Sequence, residues 1–572
     1  MKLAVDLPAS KPHRAGCGVR PGVPAQPQST RGRWRALVLI GVHLLIAAHL
    51  WHASQGRTLA PLEPSEAGRY WTEGVLNAGL ILLTLLIAST LLLGRFFCGW
   101  GCHVVALQDG SAWLLGKLGI RPQPIRSRLL SFVPLLAALE LFLLPWFFHG
   151  APDTARWELS TNAFFTRFPG PIMTVVTFFA IGLGAIWILG AKGFCSYGCP
   201  YGALFGIADR LTPTRILVSD ACEGCGHCTA VCTSGVQVHT EVQRFGMVVD
   251  SGCMKCLDCV SACPKQALSV GFTTPARGLS TLARGESSQR RRSFDFSWPE
   301  EVAMALVFFG SLFALRGLYG LVPFLLAVIL AVFAALGVIV AARLLLRPDV
   351  RFQGRALRAG GSWTRAGALA ALGLGIYLGL VGHSAWLKLE LRAGARALRA
   401  GLGPAAIQAP LRQAQRLALL PVPGLDFELG RQAELAGDSR TASADYERAG
   451  RRFPTDPGTQ QALVRTRSNA EDYEGASLAL ENMLDLRQRS GLPLDRELVS
   501  LWLPDVLEWL RTEPDGIGPT LLIARFQLAL GDRATALENL RKLSARHANI
   551  PRIEARLRQV EEPAAAARGS DR

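Results

Sequence analysis

The sequence predicts a mainly α-helical membrane protein of about seven transmembrane helices. It inserts a small α+β cysteine-rich domain after the fourth span and ends in an α-helical repeat domain. Three observations predict this. Half of the 572 residues are hydrophobic and only 18% are charged, with a mean hydropathy of +0.25. Seven apolar runs are long enough, or nearly so, to cross a bilayer. Eight of the 13 cysteines fall in two runs of identical spacing between the fourth and fifth apolar runs.

Residues 1–33 are rich in Pro, Gly and Arg and lack a hydrophobic period, so they read as a disordered basic N-terminus, with Cys17 a solvated thiol. Residues 34–210 read as a four-helix membrane region with runs at 34–50, 75–93, 129–148 and 172–189. The first run has a poor small-residue cleavage pattern and reads as an uncleaved anchor. Three further runs, 302–318, 321–342 and 366–386, give two to three helices within 300–387. Arg316 near the end of 302–318 leaves a re-entrant hairpin as the competing reading there.

The net charge of +17 does not imply nucleic acid, because of where it lies. Arg31, Arg33 and Arg35 precede the first span, and Arg121, Arg126 and Arg128 separate the second and third. Arg290, Arg291 and Arg292 precede the fifth. Arg343, Arg347, Arg351, Arg355, Arg358 and Arg365 separate the sixth and seventh. Basic loops stay in the cytoplasm, and loops 53–74 and 150–171 carry mixed charge. The expected location is a bacterial inner membrane, with the cysteine-rich domain cytoplasmic and the C-terminal domain periplasmic.

Two membrane hairpins close on related motifs. Phe97-Cys98-Gly99-Trp100-Gly101-Cys102-His103 follows the second run, and Phe194-Cys195-Ser196-Tyr197-Gly198-Cys199-Pro200 follows the fourth. The likeness continues into Ala106-Leu107 and Ala203-Leu204, as in a tandem duplication. Cysteines four apart share one side of a helical turn. Cys98, Cys102, Cys195 and Cys199 therefore offer either a third redox centre or a thiol redox pair, against a bland reading as small packing residues. His103 reads as a ligand, a proton acceptor or a solvated side chain at the membrane face.

Residues 211–275 hold Cys222-x2-Cys225-x2-Cys228-x3-Cys232 and Cys253-x2-Cys256-x2-Cys259-x3-Cys263-Pro264. This is the two-cluster bacterial ferredoxin pattern, in which each run lends its fourth cysteine to the other cluster. The expected cofactors are two [4Fe–4S] clusters. Cys222, Cys225, Cys228 and Cys263 hold the iron of one, and Cys253, Cys256, Cys259 and Cys232 that of the other. Thr233 stands where a proline usually follows the first run.

A basic linker, 276–299, leads to the later spans. Residues 388–425 read as a linker of helical Arg/Ala/Leu pattern, 426–562 as a tetratricopeptide-like helical domain, and 563–572 as a tail. Gly437-Asp438 and Glu471-Asp472 open similar segments 34 residues apart, the tetratricopeptide period. Gly531-Asp532 repeats the theme. Pro454 and Pro457 fall at a helix end, and Tyr446 and Phe453 read as packing residues. Such repeats imply a protein partner. His43, His49, His52, His149 and His383 read as structural or interfacial, and Glu140, inside the third run, as a quinol-proton acceptor or a helix–helix bond.

The duplicated hairpins, the two CxxxC pairs and the following two-cluster pattern resemble the NapH, NosR and CcoG group of membrane polyferredoxins, over roughly residues 70–270. The resemblance implies electron transfer between a quinol pool or other membrane carrier and a respiratory reductase or oxidase partner. The alternative it implies is a copper reductase or assembly factor, so the enzymatic role lies open between a quinol-oxidising and a metal-reducing component. The NosR-type flavin domain finds no room ahead of the first span, the C-terminal part lacks the CcoG β-sandwich pattern, and His103 replaces a proline usual in the group.

Overall fold

The computed structural model describes residues 31–568 except 121, 151, 153, 162–163, 168–169, 276–293, 453–455 and 490–495. Cys17, Arg121, Arg290 to Arg292, Phe453 and Pro454 lie outside the described residues. The chain divides into two units, 1–385 and 386–572.

Six helices among the described residues are long and apolar enough to cross a membrane: Arg31–Ser54, Leu130–Phe148, Pro171–Leu189, Trp298–Leu315, Phe324–Leu346 and Arg365–Arg399. The second predicted run is shorter than expected. Its helix is Ala78–Leu93, 16 residues, about 24 Å at 1.5 Å per residue. Asn77 cuts it short: its extended backbone and its side chain, which accepts from Leu80 N, start the helix there. Val75–Asn77 instead form a strand parallel to Arg156–Glu158. The third and fourth spans each contain a π-helical turn, at Leu139–Leu143 and Ala180–Gly184.

The two mixed-charge loops meet, since Thr58–Leu59 also pairs with Ser160–Thr161. The basic loops gather elsewhere. Arg126 N donates to Asp295, Arg128 to Phe296 O, and Gln353 to Gln123 O and Ile188 O. The charge pattern therefore separates into two faces.

Several boundaries move. The first helix begins at Arg31, inside the expected disordered tail. The fifth span begins at Trp298, inside the expected linker, because Ser297 and Glu300 form a reciprocal capping box. It ends at Leu315, where Arg316 and Gly317 (φ 62°) turn the chain into the sixth span. Arg343 is the last turn of that span rather than a loop residue, and it donates to Glu300 Oε1 at 2.7 Å. The core beneath is apolar, with Met304, Ala327, Val328, Ile329 and Ala331 fully buried.

The second unit is helical. The expected 388–425 linker is instead the end of Arg365–Arg399 plus Pro404–Leu417, since Gly401 and Gly403 interrupt it only briefly. Successive helices then pack on one another from Leu425 onward, and the expected tail from 563 is helical through Arg568. Tight turns join them at Gly437-Asp438, Glu471-Asp472 and Gly531-Asp532. In each the Asp side chain caps the next helix, accepting from Thr441, Gly475 and Thr535 N. Tyr446 is fully buried and donates to Glu434 at 3.0 Å.

Candidate functional site

Residues 214–272 fold as a small lobe closed by antiparallel strands Thr214–Val218 and Leu268–Phe272. Each cysteine run curls and then enters a one-turn helix, His227–Ala230 or Asp258–Ser261. The backbone shows why the spacing works. Gly224, Gly226 and Gly235 have φ of 67°, 81° and 73°, and the matching positions 31 residues later, Lys255, Leu257 and Gln266, have 49°, 63° and 49°. Left-handed residues between right-handed ones turn successive N–H groups inward as an anion-binding concavity. Ala267 N, for example, donates to Cys263 Sγ at 3.3 Å.

The lobe brings the eight cysteines together in two crossed quartets. One cavity is lined by Cys222, Cys225, Cys228 and Cys263, with His227, His239 and Lys265 at its wall. The other is lined by Cys232, Cys253, Cys256 and Cys259. Among the described residues no three such side chains converge as around one ion. Thiolates on zinc would stand only about 3.8 Å apart, given Zn–S bonds near 2.3 Å. Four soft sulfur donors around a cavity with inward N–H groups fit a [4Fe–4S] cubane. Burial pushes the Cys228 and Cys232 thiols up to about 12 and about 11, so metal loading would have to displace their protons.

The CxxxC pairs do not lie on single helical turns. Cys98 sits on the short helix Phe96–Trp100, but Cys102 has extended dihedrals and caps His103–Lys117. Cys195 and Cys199 repeat this, on Gly193–Tyr197 and before Pro200–Asp209. The cause is the same in both copies. A Cβ at Gly101 would stand 2.7 Å from the Phe97 ring, and at Gly198 2.8 Å from the Phe194 ring, so the ring folds over a glycine where the helix breaks. The duplication is thus visible in three dimensions. All four cysteines lie within electrostatic reach of one another, and Gln108, fully buried, donates to Cys195 Sγ at 3.3 Å.

Motif and lobe are in direct contact. A Cβ on Gly99 would stand 2.4 Å from Met254 O and 3.3 Å from Cys256 Cα, and Trp100 Nε1 donates to Lys255 O at 3.1 Å. Met254 shares an apolar cluster with Cys98, Cys102 and Cys195.

Sequence reasoning missed the charges that frame this contact. Arg95 and Lys192 each stand three residues before the first cysteine of their motif, and both are buried. Each finds its acid in the other copy. Arg95 N donates to Asp209 Oδ1 at 3.2 Å, and Lys192 Nζ pairs with Asp109. The Arg95 guanidinium lies beside Cys98, Cys195 and Cys199 and donates to Ser251 O at 3.0 Å. Buried Asp209 also binds Arg215 and Lys255, both at 3.1 Å. Arg35, at the start of the first span, bridges Asp109 at 3.1 Å and Asp258 at 3.0 Å. The signal was available in the sequence: a basic residue at one matched position of both copies.

The remaining candidates resolve as follows. His103 is half-buried beside His43 of the first helix rather than solvated. Glu140 pairs with Arg316 at 2.5 Å across helices. His49 and His52 hydrogen-bond Leu59 O and Thr58 Oγ1. His383 is half-buried, and the His149 side chain lies outside the described residues.

This arrangement is that of an iron–sulfur membrane protein, and comparison with known proteins says the same. Residues 77–121 and 172–218 match a 4Fe-4S binding domain, and 214–264 match a 4Fe-4S dicluster domain. The chain therefore carries the iron–sulfur domains of the ferredoxin-type membrane electron transport proteins, and the NapH resemblance is borne out. It is 30% identical over 223 residues to the electron transport protein YccM of Escherichia coli, covering 36% of this chain and 59% of YccM. It is 31% identical over 172 residues to the methylamine utilization ferredoxin-type protein MauN of Methylorubrum extorquens, covering 28% and 53%. The ferredoxin-type protein NapH of Haemophilus influenzae is 27% identical over 219 residues, covering 35% and 70%. The chain thus spans little more than half the length of YccM and MauN.

Proposed function

We propose that this protein relays electrons between a quinol pool and a respiratory reductase partner, through two [4Fe–4S] clusters and a third iron–sulfur centre at the CxxxC motifs. Cys222, Cys225, Cys228 and Cys263 hold one cluster, and Cys253, Cys256, Cys259 and Cys232 the other. Cys98, Cys102, Cys195 and Cys199 hold the third centre. The observation that carries the reading is the seating of Gly99 against Met254 and Cys256, which puts the membrane motif on the backbone of a cluster loop. Electron transfer is the chemistry such clusters supply when bound. The chain's own residues bind, space and shield them, and Arg95 and Lys192 place positive charge where thiolate charge collects. The protein sits in the bacterial inner membrane, with the iron–sulfur lobe cytoplasmic and the helical pairs periplasmic, where their repeats dock a protein partner.

Iron and acid-labile sulfide should be counted on protein purified without oxygen. About twelve irons, three cubanes of four, with menadiol-dependent bleaching of the visible absorption, is the expected result. About eight irons would remove the third centre. Stoichiometric copper retained by the CxxxC cysteines, with no reaction with quinol, would favour the metal-reductase or assembly reading instead.

A further inference from the structure

Three arginines open the first membrane helix, and one of them turns inward. Arg31 and Arg33 are exposed, whereas Arg35 is only 8% exposed. A guanidinium withdrawn from water loses its hydration and needs acidic partners. Arg35 has two, from distant parts of the chain. Asp109, on the helix after the first CxxxC motif, stands 3.1 Å away, and Asp258 stands 3.0 Å away. Asp258 is itself buried and opens the one-turn helix Asp258–Ser261, between Cys256 and Cys259. The guanidinium also comes within hydrogen-bonding range of the Cys256 sulfur.

The two cysteine loops differ at the place where this cation arrives. Position 258 matches position 227, 31 residues earlier. There the residue is His227, whose Nδ1 lies 3.1 Å from Cys225 Sγ, so its ring nitrogen can donate to a sulfur of its own loop. An ionised aspartate is an acceptor only, and Asp258 sets a negative charge beside Cys256. The first loop thus carries a side-chain donor within itself. The second carries an acid there, and takes its donor from the first membrane helix.

We propose that Arg35 raises the reduction potential of the cluster on Cys253, Cys256, Cys259 and Cys232, by offsetting the Asp258 charge and donating to Cys256. The inference rests on reading those four cysteines as one [4Fe–4S] ligand set. Net charge and hydrogen bonds to the sulfurs are what set the potential of such a cluster. Reduction adds one electron and breaks no bond. A fixed cation at a ligand sulfur stabilises that added charge, and a fixed anion two residues along opposes it, so Arg35 and Asp258 act with opposite signs. The loop so favoured is the one on which Gly99 of the membrane motif is seated. Arg35 therefore makes the membrane-facing end of the lobe a better electron acceptor than its own sequence would.

The full-length protein, purified without oxygen, is titrated with dithionite and followed by electron paramagnetic resonance. The variants are Arg35→Gln, Arg35→Lys, Asp258→Asn and the double Arg35→Gln/Asp258→Asn. Cys256→Ser identifies the signal that belongs to this cluster. Arg35→Gln should lower its midpoint by at least about 59 mV, a tenfold loss in the one-electron reduction constant. Asp258→Asn should raise it, the double variant should fall between the two, and Arg35→Lys should stay nearest to wild type. The cluster on Cys222, Cys225, Cys228 and Cys263 should move less in every variant. A mere tie between helix and lobe is broken alike by Arg35→Gln and Asp258→Asn, so shifts of one sign in both, or none in either, overturn the inference. Should Arg35→Gln fail to assemble, Asp258→Asn decides alone, and a midpoint that does not rise overturns the inference. A wild-type protein with no signal that Cys256→Ser removes overturns the ligand assignment, and this inference with it.

Discussion

Leu257 and Gly226 occupy the same place in the two cysteine loops, with φ of 63° and 81°, yet only one is a glycine. The left-handed region costs a side chain about 1–2 kcal/mol. Nothing stands within 4 Å of a Cβ at Gly226, so Gly226→Ala meets strain without a clash. The expected outcome is a cluster on Cys222, Cys225, Cys228 and Cys263 that is lost more quickly to a chelator, with the other cluster unchanged, measured by electron paramagnetic resonance over time. Arg95 supports a second expectation. Replacing a buried cation beside thiolates by a neutral group favours the oxidised, less negative state of the centre. If the CxxxC cysteines hold the proposed centre, Arg95→Gln should therefore lower its midpoint potential while leaving the two lobe clusters where they are. A redox titration showing all three unmoved would remove the tuning role.

At the scale of elements, the seat of Phe96–Trp100 on the iron–sulfur lobe is the contact to break. A Cβ at Gly99 would press on Met254 O at 2.4 Å, and backbone cannot yield as a side-chain tip can. Gly99→Val should keep the full iron content yet slow electron passage between the membrane motif and the lobe at least tenfold, measured by rapid mixing with quinol. Equal rates would mean that the contact is not on the route. In the second unit, Glu434 accepts from Arg465 at 2.5 Å and from Tyr446 at 3.0 Å, and Arg465 holds its carboxyl below the ordinary value. The folded value lies below the unfolded one, so the stabilisation is fully present above about pH 4.5 and is lost as pH falls through the lower folded value. Glu434→Gln should therefore speed amide exchange in 425–470 at neutral pH. That difference from wild type should shrink at acid pH, as the wild type loses the same interaction.

For the molecule as a whole, the charge segregation predicts sidedness. A fluorescent protein fused after Arg572 should stay dark while alkaline phosphatase at the same place is active, if the helical pairs are periplasmic. The reverse would mean an even number of crossings, and the 16-residue helix Ala78–Leu93 is the first to doubt. Much of this architecture was legible in the sequence. The eight lobe cysteines announce their pairing because the spacing is local, and the spans announce themselves because length and apolarity suffice. Other features were hidden because they depend on distant residues. The sequence suggested that Cys98 and Cys102 share a turn, but Phe97 folding over Gly101 breaks it. Glu140 looked like a lone acid until Arg316, 176 residues away, met it. The 388–425 stretch looked like a linker because Pro421 and Pro423 follow an otherwise helical pattern.

The cross-connection of the two hairpin copies, one backbone hydrogen bond and one ion pair, has a consequence for how the chain is made. Arg95 meets Asp209 across 114 residues of sequence, and Lys192 must reach back 83 residues to Asp109. At about 5–20 residues per second, the ribosome needs roughly 6–23 s after making Arg95 before Asp209 exists. Through that interval the Arg95 N–H lacks its acceptor and the Asp109 carboxylate lacks Lys192. Neither copy is a finished folding unit, so the duplication cannot be cut in half and expected to work. The contacts that tie the first hairpin to the second can form only after both are in place.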